Sequence, residues 1–154
     1  MKLIFLDIDG VLNDEKFYKN RRYNKFINNK YNNINYKKVK LINNICDKTG
    51  AKVVISSSWR INMTVEELQE LFVFFHGKFE VIGKTPMHGV LGNRGIEINE
   101  FLDTYGKENV EGYVIIDDDT DIQSNQLSNF VNTCYRKGIT KKDCKKSIKI
   151  LNSK

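Results

Sequence analysis

Five short apolar runs, separated by segments of helical period, constrain this chain more than any other feature. Lys2–Asp7, Lys52–Ser56, Phe79–Ile82, Tyr113–Ile116 and Phe130–Cys134 read as strands. Tyr36–Lys48 carries Val39, Leu41, Ile42 and Ile45 at amphipathic spacing and is closed by Gly50. Thr64, followed by Glu66 and Glu67, opens a second helix with Leu68, Leu71, Phe72 and Phe75 on one face. Ile96–Tyr105 has Ile98, Phe101, Leu102 and Tyr105 as its inner face. Thr140, three residues before Asp143, caps a last helix running to Leu151. Strands alternating with helices predict a parallel sheet covered on both faces.

Across 154 residues with 40% hydrophobic content, the expectation is one domain, 1–154, with its own core. No apolar run approaches the length of a membrane span, so no membrane partner is expected. Cys46, Cys134 and Cys144 are odd in number and lack metal-type spacing, which predicts reduced thiols and a cytoplasmic location. Residues 14–36 read as a basic insertion or small flap after the first strand, rich in Asn and Tyr. Lys16 to Lys40 includes nine Lys or Arg and no acid, and Arg136 to Lys154 holds eight against the single Asp143. Such an excess suits a polyanion such as nucleic acid; it equally suits a solvated face in a chain with 18 Asn. Tyr18, Tyr23, Tyr31 and Tyr36 lie among these cations, where they would either stack bases or cover the core.

Three strands end in polar clusters: Asp7 and Asp9 after the first, Ser56–Ser58 after the second, Asp117–Asp119 after the fourth. In an open parallel sheet, ligands sit off the carboxyl ends of the strands. Carboxylates gathered there repel one another unless a cation intervenes, and hard oxygen ligands favour Mg²⁺ and, through it, phosphate.

The ordered stretches "FLDIDGVLN", "VVISSS", "NRGIEINEF" and "YVIIDDDTD" resemble the four motifs of the haloacid dehalogenase-like (HAD) phosphohydrolases. The set is most similar to the small capless HAD domain associated with RNA-repair and phage proteins. The resemblance implies a Rossmann-like three-layer α/β/α sandwich without a large cap domain. It implies Asp7 as nucleophile, Asp9 as general acid and base, Ser56 as a phosphoryl ligand and Arg94 in place of the family's usual Lys, with Lys84 as its competitor. Mg²⁺ would be held by Asp7, the Asp9 backbone carbonyl and an acid of "DDDTD"; Asp117 fits either register there, paired with Asp118 or with Asp121. Ser57 joins the expected substrate contacts. Trp59 would stack a base or pack in the core, and Arg60 would clamp a phosphate.

The expected function is a Mg²⁺-dependent phosphomonoesterase acting through an aspartyl-phosphate. Its substrate is a nucleotide or a phosphorylated DNA or RNA end. A catalytically weak nucleic-acid-binding accessory protein with the same fold is the alternative. A response-regulator-like phosphoacceptor is a third reading, disfavoured because its nucleophile would follow a middle strand of the sequence.

Overall fold

The computed structural model describes residues 1–21, 34–89 and 92–153. In chain order the elements are β1 (Lys2–Leu6), α1 (Glu15–Arg21), α2 (Tyr36–Thr49), β2 (Lys52–Ile55), α3 (Val65–Phe74), β3 (Val81–Lys84), α4 (Arg94–Tyr105), β4 (Gly112–Asp117), β5 (Phe130–Asn132) and α5 (Lys141–Asn152). The strands form one five-stranded sheet in the order β3-β2-β1-β4-β5. Every neighbouring pair is parallel, so the sheet is parallel throughout.

Alternation along β1 explains the layers. Ile4 and Leu6 face a core shared with α2, α3 and α5 residues such as Ile42, Phe72 and Leu151. Leu3 and Phe5 face the other way, against Ile98 and Leu102 of α4. A strand buried on both faces must be apolar along its buried stretch, which is why Leu3 to Leu6 of "KLIFL" show no polar alternation. The helix ends follow local chemistry. Thr64 and Thr140 each accept from the N–H three residues on and receive a carboxylate in return, and Gly50 closes α2 in the left-handed region.

Some boundaries differ from the sequence expectations. β3 starts at Val81 rather than Phe79, and α4 starts at Arg94 because Asn93 caps it through Ile96 N–H. The 14–36 segment begins with the short helix α1, whereas Tyr23, Tyr31, Arg22, Lys25 and Lys30 lie outside the described residues. Among the described residues no helix is long and apolar enough to cross a membrane.

Candidate active site

The central strand β1 lies between β2 and β4, so the polar ends of all three meet at one rim. Backbone bonds carry the pairing past the strand ends: Ser56 N–H donates to Leu6 O over 3.0 Å and Asp7 N–H to Ile116 O over 3.1 Å. Thr133, following β5, ties Gly10 O with its hydroxyl (2.9 Å) and Asp117 O with its N–H (2.9 Å). The rim is thereby fixed by backbone rather than by long side chains.

Carboxylate oxygens of Asp7, Asp117 and Asp118 all lie within 4.8 Å of one another. Gly10 makes this possible. Its φ is +77°, and any Cβ there would run into the Asp118 carboxyl group. The glycine of "DIDG" thus supplies both a left-handed turn and room for an acid from another strand.

The electrostatics of the cluster are unbalanced. Burial raises Asp7 above the ordinary carboxylate range, against the lowering influence of the Arg94 guanidinium. Asp117 is raised further, by burial and then by the Asp7 charge; Asp118 is also raised, again chiefly by burial. Arg94 Nε sits 3.1 Å from Asp117 Oδ2, and Nη2 is 3.8 Å from Asp7 Oδ1. Among the described residues Asp117 Oδ2 still lacks an aligned donor, while Oδ1 accepts from Asp119 N–H over 3.0 Å. Among the described residues, Arg94 is the cation within ion-pair distance of these acids, which leaves room for a metal ion. The all-oxygen donor set suits a hard one such as Mg²⁺.

The remaining candidates divide between this cluster and its support. Ser56 is fully buried, its hydroxyl unpartnered among the described residues, and Ser57 hydrogen-bonds Asp7. Asp9 stands apart from the three converging carboxylates: Tyr18 O–H donates to Oδ1, and Trp59 Nε1 donates to Oδ2 over 3.0 Å. Trp59 therefore combines partial packing on the core with a polar contact to Asp9. Asp121 Oδ2 accepts from Arg94 N–H over 2.9 Å, anchoring the start of α4, so Asp118 rather than Asp121 converges with Asp117.

Lys84 and Arg60 are engaged elsewhere. Lys84 Nζ donates to Arg60 O (2.9 Å) and Met63 O (2.7 Å), whereas Arg94 lies beside the acids. Arg60 is only 6% exposed and donates to Ser56 O, Thr85 O, Pro86 O and Glu97 Oε2. These partners tie the end of β2, the loop after β3 and α4 together.

Sequence reasoning did not single out Glu97, Tyr135 or the link from Tyr18 to Asp9. Glu97, three residues after Arg94, reads as an ordinary first-turn acid; its only signal is an acid on a helix face that is otherwise inward. Tyr135 lines the same cavity of about 340 Å³ as Asp7, Asp9 and Arg94. Nothing in its local sequence marks it.

The family described as the HAD domain in Swiss Army Knife RNA repair proteins matches residues 3–144. No curated protein and no solved structure matches the chain. With the match covering nearly all of its length and the motif acids gathered at one rim, the chain belongs to this HAD domain family.

Proposed function

We propose that the protein is a Mg²⁺-dependent phosphomonoesterase acting on phosphorylated nucleic-acid ends or nucleotides. The observation that carries this reading is the meeting of Asp7, Asp117 and Asp118 within 4.8 Å beside Arg94. Acids held above the ordinary carboxylate range, first by burial and then by neighbouring charge, are the groups that a divalent cation returns to the ionised state. Asp7, Asp117 and Asp118, with the Asp9 carbonyl, would hold Mg²⁺, which when bound neutralises charge on the phosphoryl oxygens.

The chain's own residues account for the rest. The Asp7 carboxylate attacks phosphorus, and the bond from phosphorus to the leaving oxygen breaks. Protonated Asp9 gives its proton to that oxygen. Asp9 then takes a proton from the water that attacks the aspartyl-phosphate, releasing inorganic phosphate and restoring Asp7. Tyr18 and Trp59 hold Asp9 from two sides, keeping its carboxyl group oriented. The Ser56 hydroxyl, unpartnered among the described residues, donates to a phosphoryl oxygen, and Arg94 balances the charge that develops there.

The description of the family as belonging to RNA repair proteins supports a nucleic-acid end as substrate. The test is phosphate release from p-nitrophenyl phosphate, nucleotides and 3′- or 5′-phosphorylated oligonucleotides, with Mg²⁺ or with EDTA. Mg²⁺-dependent release that Asp7→Asn abolishes is the expected result. Wild-type protein no faster than Asp7→Asn on every substrate would instead support the accessory nucleic-acid-binding reading.

A further inference from the structure

Tyr135 is 47% exposed, yet it lines the acidic cavity on a loop that is tightly fixed. Its carbonyl accepts from Glu15 N–H over 2.9 Å, and Ile139 N–H beyond it donates to Val11 O over 2.8 Å. Lys38 Nζ adds a bond to Ile139 O over 2.7 Å. The Tyr135 ring lies nearly parallel to Tyr18, with centroids 6.5 Å apart and 14° between planes. Tyr18 in turn donates its hydroxyl to Asp9. An exposed ring held in place at the mouth of a site offers a π-face at little ordering cost.

The charges beside it have the matching sign. Arg136 and Lys137 follow directly and are both exposed. Glu15, the acid that feels Arg136, is itself paired with Lys19 over 2.9 Å. The cavity contributes acids and would repel a polyanion, so a strand reaching it needs cations outside. A free mononucleotide has a base for the ring but no further backbone phosphates for these two side chains.

We infer that Tyr135 is the stacking platform for the terminal base of a single-stranded nucleic acid whose end phosphate enters the acidic cavity. Arg136 and Lys137 contact the neighbouring backbone phosphates. The inference rests on the phosphatase reading for the destination of the end phosphate. It names a base-binding surface that the reaction itself does not require.

The test is binding, measured by fluorescence anisotropy on the full chain carrying Asp7→Asn. The probe is an end-phosphorylated single-stranded oligonucleotide labelled at its far end. Tyr135→Ala weakens binding about tenfold, within the range seen for loss of one base stack, and Tyr135→Phe retains it. An oligonucleotide with an abasic terminal nucleotide binds the Tyr135 protein as weakly as the intact one binds Tyr135→Ala, and the Ala variant does not distinguish the two. Replacing Arg136 and Lys137 by Gln lowers the slope of log affinity against log salt by about 1.4, the value for two phosphate contacts on a single strand. An Ala variant that keeps the full preference for the base-bearing end overturns the inference. Because binding needs no turnover, absence of phosphatase activity in the wild type would leave this result standing, and loss of the base preference would leave the phosphatase reading standing.

Discussion

Trp59 Nε1 donates to Asp9 Oδ2 over 3.0 Å, joining the turn after β2 to the end of β1 across fifty residues of chain. With Tyr18 O–H on the other oxygen, the Asp9 carboxyl group is held from two elements at once. If Asp9 transfers the proton, this grip is what aims it. Trp59→Phe keeps most of the ring's packing and removes the N–H, so kcat should fall about tenfold, a fraction of the usual general-acid contribution. Steady-state kinetics with p-nitrophenyl phosphate check this; an unchanged kcat would show that the indole does not position Asp9.

Gly10 faces the Asp118 carboxyl group at a φ of +77°. Gly10→Ala strains the backbone and displaces Asp118 together, so urea unfolding should show a loss of about 1–3 kcal/mol. Mg²⁺ affinity, measured by calorimetry, should fall in parallel. A variant that loses stability but binds Mg²⁺ as before would separate Asp118 from the cation.

The buried pair Arg60 and Glu97, at 2.7 Å, joins three segments around the site. Removing one member leaves an unpaired buried charge, so Arg60→Met should lower stability by about 3–5 kcal/mol in urea unfolding. Adding Glu97→Met to it should recover part of that loss. A mild effect of Arg60→Met on stability, joined to a large rise in KM, would return Arg60 to the role of phosphate ligand.

Asp7 and Asp117 are both raised in the folded chain, by burial first. Each therefore binds its proton more tightly folded than unfolded. In EDTA, the stability they contribute is complete below about pH 4, the unfolded carboxylate value, and is lost as pH rises through the raised folded values. Mg²⁺ favours the ionised forms, so the gain in Tm on adding Mg²⁺ should be larger at pH 8 than at pH 5. Equal gains at both pH values would mean that the cation binds elsewhere.

The layers and the acidic rim were legible because they rest on short-range pattern. β1 is apolar and buried from Leu3 to Leu6, and an acid can follow such a run only where the sheet ends. What escaped depends on contacts distant in sequence. Arg60, two residues after the serines that end β2, reads from sequence alone as a free cation; four acceptors from the rim, the loop after β3 and α4 surround it. The choice between Asp118 and Asp121 in "DDDTD" depended on where α4 begins, because Asp121 accepts from Arg94 N–H. Tyr18 and Tyr135 meet through no periodicity at all.

In the proposed reaction Asp7, among the clustered acids, takes the phosphoryl group onto its own carboxylate. Acid-quenching the enzyme during turnover of an end-labelled phosphorylated oligonucleotide with Mg²⁺ tests it directly. Protein-bound phosphate is expected on the peptide containing Asp7, released by hydroxylamine as an acyl phosphate is, and absent from Asp7→Asn. Phosphate release with no such adduct, or undiminished in Asp7→Asn, would contradict it.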